Sequence, residues 1–230
     1  MKRCLLLFDL DGTLLLTGGA GTRSFERSFL KHYGVRVDTQ RVRMDGKTDP
    51  AIARELLSLY GLPSDDPAVQ KVLSGYVEAL DSEVAASPGY HVLQGVEVAL
   101  KELSQRSDVV IGLATGNLES GARIKLERGK LNQFFPFGGF GSDSENRPEI
   151  VRIAVRRGKE YAKEDFGPGD IVVIGDTPRD IDAGKAASVK VLAVASGSFD
   201  LEALRACSPD AVVKSLSPVS EWLSSLFPEI

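Results

Sequence analysis

Short apolar runs recur along this chain and limit its fold more than any other feature. They are Cys4–Phe8, Val109–Ala114, Ile171–Ile174 and Val189–Val194, with a weaker run at Ala211–Val213. None alternates apolar with polar residues, so a strand built from any of them needs cover on both faces. Between them lie patterns of helical period, at about Val96–Gln105, Glu119–Arg128, Glu149–Glu160, Arg179–Ala187 and Leu201–Ala206. Strand and helix in alternation predict βαβ units and an α/β fold around an open parallel sheet.

The stretch from Leu15 to Ser87 breaks this rhythm. Phe25, Phe29 and Leu30 share a helical spacing, as do Ile52, Leu56, Leu57 and Leu59. Val69, Val72, Leu73, Tyr76, Val77 and Leu80 form a third stripe. Asp49-Pro50 predicts a helix start with Asp49 as N-cap, and Ser87-Pro88-Gly89 ends the last helix. No strand of the buried type is predicted here. The sequence therefore divides into an α/β core of residues 1–14 and 88–230 and an all-helical cap of residues 15–87, joined by two hinge segments.

Composition excludes several classes. With 28 Lys and Arg against 32 Asp and Glu, the net charge of −4 lacks the basic footprint of a nucleic-acid-binding protein. Two cysteines, Cys4 and Cys207, make no disulfide framework and suit a reducing compartment. The apolar run after Met1-Lys2-Arg3 is too short for a signal peptide and is cut off by Asp9 and Asp11. No run reaches the length of a membrane span. The expectation is a cytoplasmic protein with a small-molecule substrate and no nucleic-acid or membrane partner. Nothing in the pattern specifies an oligomeric state.

The chemistry concentrates in Phe8-Asp9-Leu10-Asp11-Gly12-Thr13-Leu14. In extended chain, side chains two apart point the same way, so Asp9 and Asp11 face one site just beyond a buried strand, and Leu10 points into the core. Open α/β sheets bind ligands at that carboxyl end. Paired carboxylates there suit an oxygen-loving divalent cation, Mg²⁺ before zinc, and a nucleophile beside an acid/base. His32 and His91, far apart in sequence, read as helix or hinge residues rather than metal ligands.

This stretch resembles the haloacid dehalogenase superfamily of phosphohydrolases, which carries four motifs in fixed order at core strand ends. The second corresponds to Thr115-Gly116-Asn117, after Val109–Ala114. A hydroxyl and loop amides at a helix start make an anion site. The third is usually Lys, often before Pro; here Asn146-Arg147-Pro148 puts Arg147 in that place. A guanidinium can hold phosphate or carboxylate bidentately. Lys125, Lys130 and Lys159 are alternative cations, each read as a residue of a solvated helix face. The fourth is Gly175-Asp176-Thr177-Pro178-Arg179-Asp180.

The resemblance covers nearly the whole chain and is nearest the phosphoglycolate-phosphatase-like branch with a C1-type helical cap. It implies a Rossmann-like core and an Mg²⁺-dependent phosphatase acting on a small phosphate monoester through an aspartyl-phosphate. Asp9 is then the nucleophile and Asp11 the acid/base; Thr115, Gly116, Asn117 and Arg147 bind the phosphoryl group. Mg²⁺ falls to Asp9, Asp11 (through its carbonyl) and Asp176, with Asp180 orienting the metal's waters. A β-phosphoglucomutase-like phosphotransferase keeps the same motifs and is the alternative. A non-catalytic binding protein on this fold would have lost an Asp of the first or fourth motif. Gly46-Lys47-Thr48 imitates a P-loop end, but Arg41 stands where the first glycine belongs. It reads instead as a cap loop in which Lys47 and Asp49 touch substrate. Gly18-Gly19-Ala20-Gly21 reads as a hinge, with Arg23 a further substrate contact.

Overall fold

The computed structural model describes residues 3–229. Its centre is a six-stranded, all-parallel sheet built from β1 (Cys4–Phe8), β4 (Val109–Ala114), β5 (Gly138–Gly139), β6 (Ile171–Gly175), β7 (Lys190–Val194) and β8 (Ala211–Val213). The spatial order is β5-β4-β1-β6-β7-β8, which puts β1 in the interior. A second ribbon, β2 (Leu15–Thr17) antiparallel to β3 (Tyr90–Val92), lies outside that sheet. The helices are α1 (Ala20–Tyr33), α2 (Asp49–Leu59), α3 (Asp66–Ala86), α4 (Val96–Ser104), α5 (Glu119–Arg128), α6 (Arg147–Ala162), α7 (Pro178–Ala186), α8 (Leu201–Ala206) and α9 (Val219–Leu226).

The apolar runs are explained by two-sided burial. Cys4, Leu6 and Phe8 of β1 pack into a layer with Leu100 and Leu103 of α4 and Trp222 and Leu223 of α9. Leu5 and Leu7 pack the opposite way, with Val151 and Ala154 of α6 and Ala183 of α7. Each such side chain removed from water contributes about 1.5–3 kcal/mol. A polar residue on either face of β1 would lose that gain and lack a partner.

Helices α1–α3 have an apolar cluster of their own. Phe25 and Phe29 of α1 meet Leu56 and Leu57 of α2 and Val72, Tyr76 and Leu80 of α3. Phe25 stacks on Tyr76 with ring centroids 4.3 Å apart.

Three sequence expectations change. Leu15–Thr17 forms a strand despite the helical patterns around it, because Leu15 and Thr17 pair with Val92 and Tyr90 across the chain's return to the sheet. His91 therefore lies on β3, and His32 on α1. Thr48, not Asp49, caps α2: its hydroxyl accepts from the Ala51 amide, while Asp49 occupies the first turn and Pro50 follows. The two-residue β5 is too short to leave a pattern, and α9, although longer than the predicted α8, is not among the helices expected from the sequence. No described helix is long and apolar enough to cross a membrane.

Phe8 tests the core directly. Its ring is fully buried in the interior strand and meets Phe135 edge-on at 6.0 Å. Phe8→Ala should lower the free energy of unfolding by about 3–5 kcal/mol in urea titration. A loss under about 1 kcal/mol would mean that this layer is not close-packed.

Candidate active site

The parallel register brings the strand ends together. Phe8 pairs with Leu113 on one side and Ile174 on the other. The residues that follow each strand therefore emerge at one edge: Asp9 after β1, Thr115 after β4 and Asp176 after β6. The Asp9 amide donates to the Ile174 carbonyl at 2.8 Å, which holds the start of the turn to the sheet. Gly12 then reverses the chain at φ +83°, and a Cβ there would strike the Asp176 carboxylate. Thr13, just beyond, donates its hydroxyl to Asp176 at 3.0 Å.

A cavity of about 490 Å³ opens at this edge. It is lined by Asp9, Asp11, Gly116, Asn117, Arg147 and Asp176, and also by Lys47, Asp49 and Lys125. Thr115 is fully buried behind it, and its hydroxyl accepts from the Asn117 amide group at 2.9 Å.

Two charge groups can be separated. In the first, carboxylate oxygens of Asp9, Asp176 and Asp180 all lie within 4.8 Å of one another, and all three residues are buried. Arg147, at the start of α6, bonds to Asp180 and reaches Asp9 at 3.5 Å. Asp180 is held from the other side by a capping box: its carboxylate accepts from the Thr177 hydroxyl at 2.7 Å and the Thr177 amide at 3.1 Å. Burial first, then the neighbouring carboxylate of Asp180, pushes the carboxyl of Asp176 up to about 8 and raises that of Asp9 as well. Arg147 and the Thr115 hydroxyl oppose the rise at Asp9.

Fully ionised, three carboxylates against one guanidinium would leave an excess of two negative charges in a buried place. An all-oxygen donor set with that excess fits a hard divalent cation. Among the described residues this is the one such group of three metal-binding side chains.

The second group is Asp11 with Lys125 and Asn117. The Asp11 carboxylate accepts from Lys125 at 2.6 Å and from Asn117 at 2.9 Å. It lines the cavity and is not one of the three carboxylates whose oxygens lie within 4.8 Å of one another. Lys125 corrects the sequence reading. It is buried, not on a solvated face, because α5 directs it inward, where its ammonium also donates to Asn117 at 2.5 Å. Lys130 lies outside the site, and Lys159 pairs with Asp165 at the surface.

Residues 44–49 lie across the strand ends. The Asp49 amide donates to the Gly116 carbonyl at 2.8 Å, and the Asp49 carboxylate accepts from the Leu118 amide at 2.8 Å. Ser198 donates to Asp45 at 3.0 Å. Lys47 lines the cavity but bonds to Glu55 of α2, the helix that follows it. Arg23 is not among the lining residues; it pairs with Glu83 at 2.7 Å and donates to the Gly18 carbonyl. The residues that sequence reasoning missed are Thr13 and the Ser196–Ser198 loop. Thr13 stood in the quoted motif without a role. The loop after β7 carries no distinctive residue type, and only the sheet order brings Ser196 within 2.7 Å of the Gly12 carbonyl.

The family model of haloacid dehalogenase-like hydrolases matches residues 6–194, which contain all of these strand ends. The chain belongs to that family. Among its relatives, the bifunctional riboflavin kinase/FMN phosphatase of Arabidopsis thaliana is 28% identical over 99% of this chain, which spans only 60% of that protein's length. The phosphoglycolate phosphatase of Rhodospirillum rubrum is 24% identical over 97% of this chain and 91% of its own. A pyrophosphatase PpaX from Oceanobacillus iheyensis is 24% identical over 93% and 94% of the two chains. The solved structure of a predicted phosphatase from Clostridium acetobutylicum superposes with a TM-score of 0.73 at 18% identity, over 97% of this chain and 99% of the other. The α/β fold is thus that of the haloacid dehalogenase-like hydrolases, and the chain is a hydrolase.

The raised carboxyls fix a pH response. Asp9 and Asp176 keep protons in the metal-free fold that the unfolded chain, near pKa 3.9, releases. The unfolded state then binds fewer protons, so metal-free stability falls as pH climbs from about 4 to about 8. A divalent cation supplies the missing charge and should raise Tm more at pH 8 than at pH 6. Thermal melts in EDTA and in excess divalent cation measure both. A metal-free Tm that rises through this window would contradict the site's electrostatics.

Proposed function

We propose that this hydrolase cleaves a small phosphate monoester, with Mg²⁺ as its cofactor and the phosphoryl group passing through Asp9. The observation that carries the reading is the unlike setting of two carboxylates two residues apart. Asp9 is buried beside Arg147, whereas Asp11 is partly exposed in the cavity, held by Lys125 and Asn117. One suits a nucleophile and the other a proton carrier. The phosphatases among the relatives support the same class of reaction.

Mg²⁺ is the hard cation suited to a phosphate substrate. Asp9, Asp176 and the main chain at Asp11 would hold it, with Asp180 behind them. Bound there, it supplies positive charge against the phosphoryl oxygens. In the first step an Asp9 carboxylate oxygen attacks phosphorus, and the ester P–O bond breaks with its electrons on the leaving oxygen. Asp11, protonated for this step, gives that oxygen its proton and becomes the carboxylate that Lys125 and Asn117 hold, and the alcohol departs. Water then attacks the phosphorus and loses a proton to Asp11, and the bond to Asp9 breaks to release phosphate. Thr115, the amides of Gly116 and Asn117, and Arg147 hold the phosphoryl oxygens as charge spreads over them. Arg147 does so in place of the usual Lys. Its bond to Asp180 fixes the plane of the guanidinium, which a Lys would not require.

The segment of residues 15–87 acts as a cap over the core of residues 1–14 and 88–230. The β2–β3 ribbon forms the connection, and α1–α3 exclude bulk water from the cavity.

The test is Mg²⁺-dependent phosphate release by the wild type beside Asp9→Asn. The variant should lose activity by about a thousandfold or more. It should melt no lower than the wild type in EDTA, since one buried carboxylate is gone. Undiminished release by folded Asp9→Asn would remove Asp9 from the mechanism. Phosphoryl-enzyme that accumulates without release to water would favour the phosphotransferase.

A further inference from the structure

The cavity carries information beyond the reaction type. We infer that it takes phosphate monoesters whose alcohol part is uncharged and bulky with an apolar face, and that it rejects substrates bearing a second anionic group beside the phosphate. This rests on the phosphatase reading above and adds the class of substrate to it.

The first observation is the state of the cations. Lys47, Lys125 and Arg147 are the cationic side chains lining the cavity among the described residues. Each is already bonded to a carboxylate of the protein: Lys47 to Glu55, Lys125 to Asp11, and Arg147 to Asp180. Against these three stand five lining carboxylates, those of Asp9, Asp11, Asp45, Asp49 and Asp176. With Glu55 and Asp180, which hold two of those cations from outside the lining, the carboxylates outnumber the cations by four. One divalent cation would offset half of that, and the transferring phosphate then brings its own charge. A carboxylate or second phosphate on the leaving group would have to strip a lysine from its partner or remain unpaired. Either route is unfavourable in a partly desolvated site.

The second observation is the wall contributed by the helical half. Leu16, Phe25, Met44 and Ile52 line it, with Thr22 and a run of glycines. Such surface gains by covering an apolar face and offers nothing to an anion. The volume agrees: about 490 Å³ lies within the roughly 300–1,000 Å³ of pockets that enclose drug-sized ligands. A two-carbon acid would leave most of that space to water. A nucleoside or a flavin-bearing alcohol would fill it and meet the apolar wall.

The experiment compares kcat/KM of the Mg²⁺-loaded wild type for p-nitrophenyl phosphate, FMN, AMP, 2-phosphoglycolate and pyrophosphate. FMN or AMP should exceed both 2-phosphoglycolate and pyrophosphate by about tenfold or more, the scale set by one unpaired charged group. Thr22→Arg places an unpaired cation in the wall and should shift the ratio toward 2-phosphoglycolate by a similar factor. Should that variant not fold, the wild-type panel decides alone. Hydrolysis of p-nitrophenyl phosphate together with a preference for 2-phosphoglycolate or pyrophosphate would overturn this inference and leave the phosphatase reading standing. Release from none of the five would overturn both.

Discussion

The site depends on the pairing of β1 between β4 and β6. A parallel ladder with Phe8 opposite both Leu113 and Ile174 leaves little freedom in where Asp9, Thr115 and Asp176 emerge. Slipping β1 by one residue against either neighbour would exchange the Leu6 face with the Leu7 face and separate the carboxylates. Two fully apolar layers hold that register, each facing its own helices. The core's close packing is therefore also what fixes the geometry of the charged groups, although no charged group contributes to the packing.

Holding three buried carboxylates at the end of such a sheet is costly, and the fold offsets the cost unevenly. Asp180 receives the most: Thr177 from its own helix cap and Arg147 from α6. It also sits in the first turn of α7, where the helix dipole favours a negative charge. Asp176 receives the Thr13 hydroxyl and a bond from its own main chain. Asp9 has a long contact to Arg147 and a bond from the Thr115 hydroxyl. The residual charge is concentrated at the two carboxylates nearest the cavity. In the proposed metal site that asymmetry would make Asp180 a fixed support and leave Asp9 and Asp176 to take the cation.

The sequence made the α/β fold legible because buried parallel strands are nearly uniform in composition, and each run found became a strand within a residue or so. Three of the four motif positions were placed for a related reason, since they sit at the ends of those runs; Arg147 was placed instead by the Asn146 and Pro148 of a helix start. Lys125 was not. On a helix its amphipathic context is indistinguishable from that of a solvated lysine. Only the orientation of α5 beneath the strand ends decides between the two. The cap of α2 failed in a similar way, since Thr48 and Asp49 are both good N-cap residues. The choice fell to Thr48 because the Asp49 carboxylate is drawn to the Leu118 amide of another loop.

That contact joins the two halves of the chain at the point where it matters most. Asp49 donates its amide to Gly116 and accepts from Leu118, so it brackets the loop that carries Thr115, Gly116 and Asn117. Gly116 tolerates no side chain there, because a Cβ would strike the Lys47 carbonyl. Burial raises the Asp49 carboxyl to about 6, with Lys125 opposing the rise, so this bracket is itself an electrostatic neighbour of the Asp11 pair. The loop proposed to hold the phosphoryl group and the segment proposed to read the leaving group are therefore one mechanical unit. A leaving group that displaced residues 44–49 would also displace the amides around Thr115. On the proposed reading, recognition of the alcohol and alignment of the phosphate would therefore be coupled.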